Sequence, residues 1–451
     1  MKHLFFVALL VAGLAQAQSR VEVTIGKDAS VYTMHDSTGP IHISAGKTDV
    51  VVIWQTVAAE NEKIFAVGPQ TFRYGANGQW SVKQITGASI CSNAVFGDPV
   101  YGVVKTCQVM SLDGTMTDHH GGMQGIDFTG LVAPWPGVSV PMLSPAPADG
   151  SGIPPLAPGK EEGALRTMCT WSHMAFDDPI VYPGQPGVAH SHTFFGNSGI
   201  DAFTTPENIR TKGTANCRGG TVNMGGYWVP TMVDDTAKAV PPLYIVTYYK
   251  TGWQPWLQGN VPPMVLPKGL RMVVGDARAT PAAPQVGEGG LGTHANFSCT
   301  DANDNQLTPT QPFIPVECKT GQTLRLRVDF KQCWDGRLDS PDHKSHVADP
   351  INVNDGVTPA GFQCPATHQV GLLPVISYLI RWPLTGDPSK YRIASDMYTG
   401  GQGGYSAHGD WMNGWDEAIS AVWMENCMRT RRDCGSFNLG DGRGGIEFGG
   451  N

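Results

Sequence analysis

The chain has 451 residues, with 39 Asp and Glu against 31 Lys and Arg, a formal net charge of -8 and only 16% charged residues. That balance, with no long Lys/Arg run, argues against nucleic acid as a partner. Gly (56) and Pro (34) stand beside abundant aromatics, which describes short strands joined by many turns and not a disordered chain.

Residues 1–17 read as a secretory signal peptide. Met1, Lys2 and His3 open it, the apolar run Leu4 to Leu14 is shorter than the roughly 20 residues of a spanning helix, and Ala15-Gln16-Ala17 places small residues at the cleavage positions. Cleavage before Gln18 and a secreted or periplasmic location are expected, and no later stretch has the length and apolarity of a membrane span. Cys91, Cys107, Cys169, Cys217, Cys299, Cys318, Cys333, Cys364, Cys427 and Cys434 form an even set outside that segment, so five disulfides are expected. Short loops favour Cys91 with Cys107 and Cys427 with Cys434. Thiolate metal binding is disfavoured, because no Cys-x-x-Cys pair occurs.

Residues 18–129 suggest a small β domain: Val21, Val23 and Ile25 alternate, Val50 to Trp54 reads as a buried strand, and Gly75-Ala76-Asn77-Gly78 marks a turn. Residues 130–165 are rich in Pro and Gly and read as an extended linker. Residues 166–451 are long enough for a larger β-rich domain. Leu243 to Tyr249 and Leu324 to Phe330 have strand patterns, a helix is expected over Trp415 to Trp423, and the Gly440–Asn451 tail reads as mobile. The fold class is all-β: a β-sandwich or jelly-roll-like domain with long disulfide-bonded loops, preceded by the small domain.

Three segments concentrate ionisable groups. Asp177 to Gly184 leads into His190-Ser191-His192-Thr193-Phe194-Phe195-Gly196-Asn197, where extended backbone puts His190 and His192 on one face. Cys333 to His346 contains Asp335, Asp339, Asp342, His343 and His346. Gly404 to Asp416 contains His408 and Asp410. Each has an alternative reading: histidines satisfied by loop carbonyls, and aspartates serving as ordinary turn and capping residues.

These segments, with Tyr227-Trp228-Val229-Pro230, Pro267 to Met272 and Cys364-Pro365-Ala366-Thr367-His368, resemble the secreted domain-of-unknown-function family numbered nineteen ninety-six, found in fungi and bacteria. The resemblance spans about Met168 to Cys427, and Arg218 to Gly226 is richer in Gly than the family pattern. It implies no assigned activity, but association with wall and cellulose-binding modules in fungal members points toward polysaccharide or cell-wall carbohydrate.

Three functions follow. A polysaccharide lyase or hydrolase would draw on His190, His192, His346, His408 and Asp410. A lyase would take a cation from Arg337 or Arg381, and a hydrolase would take its carboxylate pair from Asp335, Asp339, Asp342 and Asp410. A divalent metal such as zinc or calcium would be held by His190, His192, His346 or His408, and Asp410. A non-enzymatic carbohydrate binder would instead use the flat faces of Trp253, Trp256, Trp334, Trp411 and Trp415.

Overall fold

The computed structural model describes residues 21–25, 30–34, 41–45, 48–113, 126–156, 163–252, 263–285, 293–352, 362–396 and 403–446. Residues 1–17, expected from the sequence as a signal peptide, and Gln18, Trp253 and Trp256 lie outside them. The protein is nearly all β, with 37% strand and 6% helix, which settles the fold class. It divides into two compact units, Met1–His119 and His120–Asn451. Among the described residues no helix is long and apolar enough to cross a membrane.

The first unit is built on a five-stranded antiparallel sheet in the order Ile41–Ala45, Thr48–Ala59, Thr106–Asp113, Lys63–Ala76, Gln79–Ile90. The two long strands Lys63–Ala76 and Gln79–Ile90 meet at Asn77 and Gly78, whose positive φ values of 54° and 78° give the primed turn that matches strand twist. Phe72, Tyr74, Ile64 and Ile85 form its core, and Cys91–Cys107 closes the end.

The second unit is a two-layer β-sandwich. One layer has six strands, in the order Ala295–Thr300, Thr323–Asp329, Val375–Pro383, Tyr244–Lys250, Ala164–Cys169, Asp433–Ser436. The other has five: Arg271–Gly275, His408–Met412, Gly226–Pro230, His192–Gly196, Trp171–Ala175. Alternation assigns the faces. Leu324, Leu326 and Val328 from the six-stranded layer pack with Tyr227, Val229, Met272, Val274 and Trp411 from the five-stranded layer in one continuous core. The layers approach closely where residue 409 is glycine, since a Cβ there would lie 2.8 Å from Val328 Cγ1. Across the same gap the Tyr378 hydroxyl donates to the Asp410 carbonyl at 2.8 Å. The expected helix is Glu417–Trp423, capped by the Asp416 carboxylate accepting from Ile419 N, with one π-helical turn, Met424–Arg429, continuing it.

Two sequence expectations change. The Pro/Gly segment expected as a linker does not run free: Val138 N donates to Ala215 O, Met142 N to Gly219 O and Ser144 N to Gly444 O, so it is laid against the second unit. Its prolines suit an extended edge, because the intervening non-proline residues supply the N–H groups. The tail is folded as far as Ile446, with Leu143 bridging Gly445 and Asn438 bridging Gly444.

Five disulfides join all ten cysteines: Cys91–Cys107, Cys169–Cys217, Cys299–Cys318, Cys333–Cys364 and Cys427–Cys434. They are consistent with an oxidising compartment.

A half-buried ion pair sets a pH dependence for the second unit. His294 Nε2 lies 2.8 Å from Asp349 Oδ2, while His294 Nδ1 donates to the Asp329 carbonyl at 2.8 Å. Burial alone would lower the His294 pKa, but the adjoining Asp349 carboxylate outweighs it and the value is raised. The stabilisation is therefore fully present below the unfolded histidine value of about 6.5 and is lost as pH rises through the folded value. Melting curves of wild type and His294→Gln are expected to converge as pH is raised from about 5.5 to 9; a constant gap would mean that the pair carries no charge.

Candidate functional site

The site lies on the outer face of the five-stranded layer, away from the sandwich core. His408 and Asp410 are two apart on one strand and share that face with His192 and Phe194 of the next strand but one. Trp228 sits between Asp410 and Phe194 in the register. Gly275, paired with His408, has φ +92°, and a Cβ there would meet the Ala407 carbonyl at 2.5 Å, so glycine lets the edge strand close on His408. An apolar bed of Ile180, Phe194, Ile200, Trp228, Val273 and Met412 adjoins the polar groups.

Four side chains named from the sequence converge here. His190 Nε2 is 3.1 Å from His408 Nε2, and His408 Nε2 is 3.9 Å from Asp410 Oδ2. Ligand atoms of His190, His192 and His408 all lie within 4.8 Å of one another, and so do those of Asp178, His192 and Asp410. His192 and Asp410 are fully buried, His408 nearly so, and His190 is partly buried.

Each buried histidine is held by a backbone carbonyl. His192 Nδ1 donates to Asp177 O at 2.9 Å and His408 Nδ1 donates to Ser406 O at 2.8 Å. A carbonyl only accepts, so both Nδ1 atoms carry the proton, and each neutral ring presents its Nε2 lone pair to the cluster. The supports are themselves braced. The Asp177 carboxylate accepts from Gly187 N and Ala202 N, and the Asp396 carboxylate accepts from the Ser406 hydroxyl and from Gly404 N.

Electrostatics follow from this burial. Desolvation lowers His192 to about 4 and, with the neighbouring His192 adding to it, His408 to about 3. Desolvation, with the charge of Asp178 nearby, pushes Asp410 far above the usual carboxylate range. Asp178 is also raised by burial, although its carboxylate accepts from Ile180 N and Val181 N. Among the described residues, His192 Nε2 and both Asp410 carboxylate oxygens have no hydrogen-bond partner.

The remaining candidates fall elsewhere. His346 does not join the cluster: its Nε2 donates to Arg271 O at 2.7 Å and its Nδ1 lies 3.0 Å from the Ser340 hydroxyl, so neither nitrogen is available. Asp335 is bound by Arg337, and Asp342 accepts from Ser340, Lys344 and Ser345 within one turn. Arg337 is thereby occupied, and Arg381 pairs with Asp304 on the outer face of the other layer. Trp334, Trp411 and Trp415 are core residues and offer no sugar-stacking faces.

Asp339, expected from the sequence as a candidate for the carboxylate pair, is engaged by His343 and Arg271 instead. It accepts from His343 Nδ1 at 3.0 Å and from Ser340 N, and it pairs with Arg271 at 3.0 Å. His343 has a left-handed backbone, φ 57°, and its carbonyl accepts from Val273 N, the residue paired with Asp410. Lys344 Nζ donates to Gly275 O at 2.6 Å, beside His408. Residues 343 and 344 therefore fasten to the edge strand at the cluster, and the His343 and Asp178 charges act on each other. Asp178, His343 and Lys344 are site residues that motif reasoning passed over.

Fold and site together define a disulfide-bonded β-sandwich with a buried His/Asp cluster on the outer face of one sheet. The chain belongs to the DUF1996 family, described as a domain of unknown function, whose model matches residues 178–415. That span begins at Asp178 and contains every residue of the cluster. No solved structure matches the chain.

Proposed function

We propose that this protein is an enzyme acting on polysaccharide outside the cytoplasm, with His343 as its proton-transfer group and Asp339 holding that ring. The observation that carries the reading is the cluster itself. Residues from distant segments bring several ionisable side chains into a buried space where three polar atoms find no partner among the described residues, an expense to folding that tends to be retained at functional sites. A carbohydrate binder needs no such arrangement, and three of its candidate tryptophans are buried in the core. Polysaccharide is favoured as the substrate class by the modules that accompany the family in fungi.

His343 suits proton transfer because its ring is fixed through Nδ1, its side chain is 23% exposed, and Nε2 makes no hydrogen bond to a described residue. Hydrogen bonding to Asp339 raises its pKa against the opposing effects of burial and Arg271, and Asp178 raises it further. As a base abstracting the proton α to a uronate carboxyl, it would become more effective as pH rises through that value. As an acid protonating a leaving oxygen, it would become less so.

The experiment is a panel of neutral and uronate-containing polysaccharides assayed for unsaturated and reducing ends across pH. On the responding polymer, His343→Ala is expected to lose about 10²- to 10⁴-fold in kcat. Asp339→Asn is expected to lose less and to shift the pH profile toward lower pH, because it removes the group that raises the His343 pKa. Binding of a polymer without new chain ends would favour the binder instead.

A further inference from the structure

We propose that His190, His192, His408 and Asp410 bind one divalent first-row transition ion, with the Asp178 carboxylate beside them completing the charge balance. This stands apart from the choice of substrate, because it rests on hydrogen-bonding capacity and geometry alone.

The first ground is the tautomers. With Nδ1 of both His192 and His408 committed to backbone carbonyls, their Nε2 atoms can only accept; His408 Nε2 lies 3.1 Å from His190 Nε2 and 3.9 Å from Asp410 Oδ2, and His192 offers a ligand atom within 4.8 Å of those of His190, His408 and Asp410. A carbonyl on one ring nitrogen that frees the other as a lone pair is the outer-shell support found behind metal-ligating histidines. His192 Nε2 is fully buried without a partner among the described residues, which leaves its lone pair open to a ligand.

The second ground is charge. Asp410 can accept from several donors, yet neither carboxylate oxygen has one among the described residues; His192 and a second carboxylate, Asp178, bring ligand atoms within 4.8 Å of it, and His408 Nε2 lies 3.9 Å away. Lys344, the cation whose charge reaches Asp410, already donates its ammonium to Gly275 O. With an ion bound, the Asp410 and Asp178 carboxylates supply two negative charges beside neutral imidazoles, the balance that a divalent cation matches.

The third ground is spacing. The 3.1 Å between Nε2 of His190 and His408 is close to the edge of a tetrahedron with bonds of about 2.0–2.1 Å, roughly 3.3 Å. Imidazole-rich N/O ligation selects zinc or its first-row neighbours over calcium, which takes six to eight oxygens. Of the two ions raised by sequence reasoning, zinc is retained. Three histidines and one carboxylate at a single face also account for what His346 was expected to supply: His408 takes that place.

The test starts with elemental analysis of protein purified without chelator, followed by calorimetric titration of chelator-treated full-length protein with Zn²⁺, Mn²⁺ and Co²⁺. One equivalent of a transition ion per chain, and a melting temperature that falls with chelator and recovers with Zn²⁺, are expected. Because His192 is buried and its removal leaves a cavity, the near-isosteric Asp410→Asn is the second variant. Each of His192→Ala, His408→Ala and Asp410→Asn should weaken Zn²⁺ binding by at least about 100-fold, with the circular dichroism of Asp410→Asn unchanged. No bound metal and no Zn²⁺, Mn²⁺ or Co²⁺ binding by wild type would overturn the proposal, as would binding left intact in all three variants. No polysaccharide enters this test, so an inactive substrate panel leaves it standing, and an absent metal leaves proton transfer at His343 open to assay.

Discussion

Replacing Cys169 and Cys217 together by alanine is expected to destabilise the second unit by roughly 4 kcal/mol, the chain-entropy value for a 48-residue loop. The position of this disulfide makes the loss consequential. Cys169 ends a strand of the six-stranded layer, and next to Cys217 the side chain of Asn216 accepts from Gly196 N, at the end of the strand that begins with His192. Asn216 N returns a hydrogen bond to Gly196 O. The crosslink therefore fastens one layer to the strand that carries a cluster histidine. Urea unfolding of the full-length double variant should show a lower midpoint in the transition of the second unit, with the first unit unaffected. A loss below about 1 kcal/mol would mean that the crosslink adds little beyond the surrounding hydrogen bonds.

Much of this architecture is written locally. Alternation in Leu324 to Phe330 gives the strand Thr323–Asp329, and acidic residues ahead of an apolar stripe give the helix Glu417–Trp423. The pairs His190/His192 and His408/Asp410 are legible for the same reason, since a period of two places each pair on one face. What period cannot show is which strand lies beside which. His346 looks equivalent to His408 in the sequence, and only the packing of its loop against Arg271 consumes its nitrogens. Asp178 was hidden by its own local bonds, because its carboxylate does ordinary turn chemistry, accepting from Ile180 N and Val181 N, and nothing in that pattern signals its place beside Asp410. His343 was hidden by its backbone: a left-handed histidine inside an Asp-rich turn is a tertiary outcome that composition does not signal.

The two faces of the five-stranded layer also explain how the cluster can tolerate its unpartnered atoms. One face contributes Tyr227, Val229, Met272 and Trp411 to the sandwich core, and the other carries the histidines and Asp410. Stabilisation gathered on the inner face thus holds the outer face in a geometry it would not adopt unaided, a division of labour between packing and site.

That coupling makes Trp411→Ala the most informative core substitution. Trp411 is fully buried, lies opposite both Tyr227 and Met272 in the register, and sits between Asp410 and Met412 on the strand that presents His408 and Asp410. Truncating a buried tryptophan costs about 3–5 kcal/mol, and a strand loosened on its inner side cannot keep Asp410 and His408 in register on the outer one. Denaturant unfolding is expected to show that loss together with weakened Zn²⁺ binding in the same variant. If Trp411 were instead a sugar platform, the variant would keep wild-type stability and lose only polysaccharide binding. The two outcomes separate a residue that builds the site from one that touches the ligand, and burial at 0% exposure places Trp411 with the former.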